Sequence, residues 1–596
     1  MHALRLLLVA VVATWFVAEK AHAQAYEQLG TLEKEGVDEA LAARGLVVEP
    51  APAGKTIRNI HVVTLEVFAK RDLFFDWFNI FHRTTREEMI RREALFRPDQ
   101  PYDQAVIDET TRYLQSPDLT STVAILPVKS VTPGAVDVLI VTRDVWSLRF
   151  NTDGEFQQGH LIYGTASLSE NNLFGWRKQV AMVLEIDQGS VAVGPTYVDR
   201  NIAGTRLTLS SSVRALFARE GGASEGSRSS TSVAYPIYSL ASRWGGHVTF
   251  GHFDGMARAF QGNDLRKVPV MGQDLDWRYH IQQLSASAGA SRQFRQARVV
   301  HVVSTSYGVA TNRPSFTDDF PVDPAVREEF AQQVFPLSQR VAAVSAGYSI
   351  YTPRWLTYRD LNTFDLREDV RMGPSAGVSL ARAARFIGSD REYVSFAASA
   401  GWNLSLLGGL QGVSAGWGAR LQSGAVTDQS FSGGLSFASP VLRRVLRIVA
   451  SAGFATVVDD TQRQVFALGG TNGLRGYAIA DFFAPRAQPD KTTAVGHLEV
   501  RSMALKVISL RLGGLVFYDV GGVSLETVPE GSVVRRALES IRAVQLHQDF
   551  GFGLRLLIPQ FNAYVIRFDW AFATDNTMLT RAGWPGRISI GFQQAF

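Results

Sequence analysis

Nucleophiles, acids, bases and metal ligands are present in this chain but seldom at a spacing that supports chemistry. Gly-x-Ser-x-Gly occurs three times, around Ser224, Ser375 and Ser414. A nucleophile elbow needs a strand, a tight turn and then a helix around its serine. One copy lies in a Gly/Ser-rich stretch and two in small-residue runs that read as strands, so no catalytic residue is assigned. The 11 histidines include no HExxH and no pair at helical ligand spacing, and cysteine is absent, which removes thiolate nucleophiles and Cys-ligated metals. There is no Walker loop, and neither metal nor cofactor is expected. One constellation stands out for its electrostatics. LGGTNGLRGY, residues 468–477, sets a lone cation, Arg475, among four glycines and ends on Tyr477. Glycine lets a backbone adopt positive φ and approach a surface closely, and a guanidinium presents a planar fork suited to carboxylates.

The elements that must position this loop follow from patterning along 596 residues. The formal charge of +4, from 60 basic and 56 acidic residues, argues against a nucleic-acid partner, which would draw Lys and Arg onto one stripe. Residues 1–23 read as a signal peptide: Arg5 precedes an apolar run from Leu6 to Ala18, and Ala21-His22-Ala23 has the small-x-small form of a cleavage site. The apolar run falls short of the roughly 20 residues a spanning helix needs. Residues 24–56 hold a weak helical pattern and then Pro50, Pro52 and Gly54, a linker composition. From 57 to 147 the pattern is β-α-α-β-β. Thr84 and Thr85 stand three residues ahead of Glu87 and Glu88, as in a capping box, Asp103 caps a second helix, and two strands meet across Pro133-Gly134.

Beyond Trp146 the helical signals fade and strand-length segments alternate to the end of the chain. Leu512, Val516, Tyr518 and Val520 share one face, while Gly513, Leu515, Phe517 and Asp519 share the other. Phe550, Phe552, Leu554 and Leu556 likewise oppose Asp549, Gly551, Gly553 and Arg555, and Ile566, Phe568, Trp570 and Phe572 oppose Arg567 and Asp569. A soluble sandwich alternates in the same way. The length of the pattern, the long polar excursions at 221–230 and 313–329, and the closing strand with Ile588, Ile590, Phe592 and a terminal Phe596 favour a transmembrane barrel. The terminal aromatic strand is the usual outer-membrane assembly signal.

In this order the segments resemble the BamA/TamA superfamily of outer-membrane assembly and translocation proteins (the bacterial surface antigen family), which includes two-partner secretion transporters. Residues 57–147 are similar to one POTRA domain. Residues 168–175 and 197–206 resemble early barrel hairpins, and Gly473-Leu474-Arg475-Gly476-Tyr477 matches the tip of the family's sixth extracellular loop. The resemblance implies a mainly β chain, with one small α+β POTRA domain before a 16-stranded antiparallel barrel at 148–596 and the loop insertion at about 458–491. Alternation alone gives about 17 to 19 segments; the surplus is assigned to loop hairpins at 215–240 and 405–440. The resemblance further implies that the loop folds into the lumen, with Arg475 on acidic wall residues, and face parity offers Asp519 and Glu499. Implied partners are outer-membrane lipid, unfolded β-rich clients and periplasmic or inner-membrane accessory proteins, with the POTRA domain in the periplasm. Its edge would be Thr122, Val123, Ala124, Ile125 and Leu126, within a stretch reaching Lys129 where Pro127 suits an edge. The barrel seam is expected between Gly159–Ser169 and Arg587–Phe596. A transporter for a dedicated partner and a passive pore remain as alternatives.

Overall fold

The computed structural model describes residues 26, 29–67, 82–115, 119–157, 160–261, 264–470, 473–484, 486–507, 510–524, 531–559, 565–574 and 586–592. The expected signal peptide lies outside them. They divide into two compact units: one holds the chain to Leu65 with Arg86–Gln115 and Thr122–Arg143, and the other the remainder.

The small unit contains α1 (Thr31–Arg44), β1 (Thr56–Leu65), α2 (Glu87–Glu93), α3 (Gln104–Leu114), β2 (Thr120–Lys129) and β3 (Ala135–Asp144). Its sheet runs β1-β3-β2, with β1 parallel to β3. Both faces are covered. Val123 and Ile125 pack with Ile90, Ile107 and Leu114 of α2 and α3. Ala124, Leu126 and Val128 pack with Val37 and Ala40 of α1. The stretch expected as a linker therefore contributes a helix to the core, because α1 repeats apolar residues on one side and ends on Gly45 in the left-handed region, φ 60°. The expected capping box is absent. Arg86 is the N-cap of α2 and its side chain does not cap the helix, while Thr85 gives its amide and hydroxyl to Asp144. Asp103 does cap α3, accepting from Ala105 N at 2.9 Å.

The large unit is one closed antiparallel barrel. Its first wall strands are β4 (Leu148–Gln157), β5 (His160–Glu170), β6 (Lys178–Ile186), β7 (Ser190–Asp199), β8 (Thr208–Ala218), β9 (Ser224–Tyr235) and β10 (Trp244–Arg258). Next come β11 (Arg278–Gln296), β12 (Val299–Ser315), β13 (Gln339–Tyr351), β14 (Glu368–Ala383), β15 (Tyr393–Leu404), β16 (Leu410–Gln422) and β17 (Ala425–Ala438). The circuit ends with β18 (Leu446–Val458), β19 (Lys491–Ser502), β20 (Leu510–Val523), β21 (His547–Leu557), β22 (Ile566–Ala573) and β23 (Arg587–Phe592). Arg354–Tyr358 and Leu505–Val507 extend existing positions, since β13 still pairs β14 and β19 still pairs β20.

The described residues thus give a barrel of about 20 strands, not the 16 expected. The regions 215–240 and 405–440, assigned to loop hairpins, hold the end of β8 and all of β9, β16 and β17 as wall strands. Their Gly/Ser content builds ladders instead: Ser432 faces Gly416, Ser430 faces Gly418 and Ser436 faces Gly412, each hydroxyl filling space that a second side chain would occupy. Of the three Gly-x-Ser-x-Gly serines, Ser375 and Ser414 sit within β14 and β16, as their small-residue runs suggest, and Ser224 opens β9 where a loop was expected. With two hairpins more than expected ahead of it, the segment between β18 and β19, residues 459–490, is the eighth loop at its end of the barrel, not the sixth. Five strands follow it.

Wall chemistry is the reverse of a soluble protein's. On β20 Val516 is 57% exposed while Asp519 is fully buried, and Phe550, Phe552, Leu554, Phe568 and Ile588 are exposed as well. Apolar side chains cover the outside, and Asp549, Arg555, Arg567, Asp569 and Arg587 are buried within. Helices α4 (Pro324–Val334) and α5 (Val533–Arg542) sit in loops; no helix among the described residues is long and apolar enough to cross a membrane.

Candidate functional site: an arginine held against the barrel wall

The loop 459–490 enters the site on short pairing strands, Phe466–Leu468 with Phe482–Ala484. Gly469 and Gly470 adopt positive φ, 129° and 72°, and turn the chain toward the wall. Gly476 serves a different need, close approach: a Cβ there would stand 2.6 Å from Asp549 Cβ and 2.8 Å from Ala573 N. Residues 471 and 472 lie outside the described residues. Leu474 and Tyr477 are buried with Leu468, Ala484, Val523 and Ala573, which seats the tip. The Tyr477 hydroxyl donates to Gln548 O at 3.0 Å.

Between these anchors Arg475 is 3% exposed and every face of its guanidinium is used. Nε and Nη2 donate to Asp519 Oδ2 and Oδ1 at 2.8 and 2.9 Å, a bidentate pair, and Nη1 donates to Glu499 Oε1 at 2.8 Å. Nη1 also stands 3.6 Å from Asp569 Oδ2. The Phe517 ring lies under the guanidinium carbon, 3.4 Å from its centroid, adding cation–π attraction to the ion pairs. Strand parity explains the convergence. Phe517 and Asp519 alternate inward on β20, and Glu499 lies inward on β19, where it faces Phe517 across the ladder.

The carboxylates have further partners. His497 Nδ1 is 3.0 Å from Asp519 Oδ1, and Arg501 Nε donates to Glu499 Oε2 at 2.6 Å. Arg555 Nη1 donates to Asp569 Oδ1 at 2.6 Å, and Gly476 N donates to Asp549 Oδ2 at 3.0 Å. Isolated buried charges would be prohibitive, so the network is stable only as a whole. Asp569, Asp549, Arg555 and Phe517 were visible as inward positions in the alternation. Their convergence on Arg475 was not, because neighbouring strands must first be brought into register.

A second cluster holds the base of the loop. Lys491, fully buried at the start of β19, donates to Asp460 Oδ2 at 2.6 Å and Gln464 O at 2.7 Å. Arg536 on α5 bonds Asp490 at 2.6 and 2.9 Å and lies 2.8 Å from Asp459. Burial alone would lower the Arg536 pKa, but hydrogen bonds with Asp490 and Asp459 outweigh it and hold the group above its ordinary value.

Among the remaining expected site residues, Ile588 and Ile590 lie on the outer side of β23; Phe592 ends that strand, and Phe596 is outside the described residues. Thr122–Leu126 form part of β2, the strand at one end of the β1-β3-β2 order. Val47–Glu49 covers its last residues through Lys129 N to Val47 O, 2.8 Å, and Glu49 N to Pro127 O, 2.9 Å. The seam is not where it was expected. Strand β23 pairs with β4, through Gly154–Ile590, Glu155–Ser589 and Phe156–Ile588, rather than with the strand that begins at His160.

No known family model matches the sequence, and no curated protein does. Among solved structures the chain is similar to BamA from Haemophilus ducreyi lacking POTRA domains 1–3, at 12% identity and TM-score 0.36, covering 90% of this chain and 85% of that one. It is similar to CdiB from Acinetobacter baumannii at 10% identity and TM-score 0.39, covering 99% and 97%. CdiB from Escherichia coli gives 10% identity and TM-score 0.41, covering 90% and 77%. By its own strand pairing the chain forms a large closed antiparallel barrel, and its most elaborate feature is an arginine-tipped loop fastened to the inner wall.

Proposed function

We propose that the chain is an outer-membrane factor that inserts or translocates β-rich client chains, with the seam β23–β4 as the place where clients pair. The seam carries the reading. It is where the last and first strands of the circuit meet, through Gly154, Glu155 and Phe156 of β4 and Ile590, Ser589 and Ile588 of β23. Opening the wall between the two chain-terminal strands breaks no hairpin, and each opened edge offers main-chain donors and acceptors to an incoming strand. The apolar outer face suits hydrocarbon, and a closed barrel satisfies every backbone group across it. The small unit, read as a POTRA domain in the periplasm, supports capture. Both faces of β2 are buried, so the edge of Thr122–Leu126 offers a client main-chain groups in preference to side chains, which tolerates many sequences. The loop anchored by Arg475 keeps the closing strands in register while the seam works.

The test uses the natural absence of cysteine. A Gly154→Cys/Ile590→Cys pair, facing across the seam, is oxidised in reconstituted vesicles and client insertion is followed by protease protection. Insertion should stop on oxidation and return with reductant; unchanged insertion with the seam locked would refute the proposal. Secretion through the lumen is a second reading, favoured by the open inner arc at Ser399 and its neighbours. It would be supported if a locked seam left client transfer intact while bulky residues at 399 and 414 blocked it.

A further inference from the structure

Adjacent residues with positive φ mark the tight hairpins of this unit, and the second residue is ordinarily glycine: Leu407-Gly408 and Ser423-Gly424 between wall strands, and Met271-Gly272 in the loop before β11. That is the expected chemistry, since a Cβ is strained in the left-handed region and type I′ turns favour Asn-Gly. One turn departs from it. Between β17 and β18, Arg443 and Arg444 have φ of 48° and 60°, the only adjacent non-glycine pair of this kind among the described residues. Val445 N donates to Leu442 O at 2.9 Å and Leu442 N to Leu446 O at 2.7 Å, which closes the hairpin around them. Both arginines are exposed, and neither guanidinium meets a carboxylate among the described residues. Strain kept at a surface position by charged residues calls for a use.

The surroundings define that use. Leu442 and Val445 flank the pair and are 37% and 60% exposed. The neighbouring turn presents Leu406 and Leu407, 56% and 97% exposed, and lies beside this one, since a Cβ added at Gly408 would stand 3.8 Å from Pro440 Cβ. On the other side Met503 N donates to Val445 O at 2.7 Å, bringing up the segment with exposed Leu505, Lys506 and Val507. Three cations without carboxylate partners among the described residues thus stand at the rim of the apolar outer wall. Strand order puts this rim at the end opposite the loops 259–277, 316–338 and 459–490. Fixed cations beside exposed aliphatic side chains match a molecule with a phosphate at one end and hydrocarbon at the other.

We propose that the Arg443–Arg444 turn, with Lys506, binds the phosphate of an anionic phospholipid whose acyl chains lie along Leu442, Val445, Leu406 and Leu505. The inference rests on the barrel residing in a membrane and is independent of what the barrel transports. It is tested with the full chain in nanodiscs of phosphatidylcholine and phosphatidylglycerol, with retained lipid read by native mass spectrometry. The wild type should retain phosphatidylglycerol at least fivefold over phosphatidylcholine. Arg443→Asn/Arg444→Gly supplies the residues the turn geometry favours, so it should fold with an unchanged or higher Tm while the preference falls to near one. Arg443→Lys/Arg444→Lys should keep most of it, and glycerophosphoglycerol, which lacks acyl chains, should not be retained. Equal retention of both lipids by incorporated wild type would overturn this site alone, as would a preference surviving in the Asn-Gly variant. Capture of an acidic peptide in place of lipid would assign the turn to a protein partner and overturn it too. Failure to enter nanodiscs would overturn the membrane reading as well.

Discussion

Two arcs of the same barrel wall solve the problem of an inner face in opposite ways. From β12 to β18 the inward positions are small and mostly neutral, as in Ser304, Ser345, Ser375, Ser399, Ser414 and Ser432, and several remain exposed inside the barrel. From β19 to β23 they are Glu499, Arg501, Asp519, Asp549, Arg555, Asp569 and Arg587, all buried. The strands are alike in pairing and outer chemistry, so the contrast comes from what each arc faces. The neutral arc faces open space, where hydroxyls suffice. The charged arc faces the loop, whose apolar seat around Leu474 and Tyr477 is joined by directional pairs that cancel one another's charge.

The sharpest break in that contrast is Arg475→Ala, which leaves Asp519, Glu499 and Asp569 facing one another without their shared cation. A loss of about 3–5 kcal/mol is expected for removing one partner of a buried pair, measured by urea titration of the barrel in micelles. Arg475→Lys should restore less than half, because an ammonium cannot fork onto Asp519 while also reaching Glu499. Gly476→Ala should cost less, about 1–3 kcal/mol, since its Cβ meets Asp549 and backbone at Ala573; the same titration, with protease sensitivity of the loop, reports it. Transplanting charge sharpens the comparison. Ser399→Asp, on the open arc, should change stability by no more than about 1 kcal/mol while shifting single-channel selectivity toward cations. Smallest is Ser432→Ala, expected within about 0.5 kcal/mol, because its hydroxyl fills a glycine-sized gap without carrying a buried charge.

The two arcs were also unequally legible in the sequence. In β20, β21 and β22 large apolar residues alternate with charges and glycine, so faces can be read from period alone, and parity brings Asp519 and Glu499 to the same side as the loop. In β16 and β17 the outer face carries Val413, Trp417, Leu435 and Phe437 but the inner face only serine and glycine around its middle, and the composition that reads as a loop builds a ladder once a partner strand supplies the complementary gap. The helices show a related limit. Asp323 followed by Pro324 and Ser532 ahead of Val533 are sound start signals for α4 and α5. They stay inconspicuous because each helix is short and lies in a polar loop. The seam was misplaced by one strand because β4 and β5 have similar alternation, and only pairing distinguishes which of them meets β23.

Arg475 fastens the loop to carboxylates of the wall. A double-mutant cycle of Arg475→Ala and Asp519→Asn, read by urea titration of the folded barrel, tests it most directly. Strong non-additivity is predicted, with a coupling of at least about 2 kcal/mol, because the substituted amide strands no charge once the arginine is gone. Additivity within about 0.5 kcal/mol would mean that the two groups do not meet, and would contradict the account.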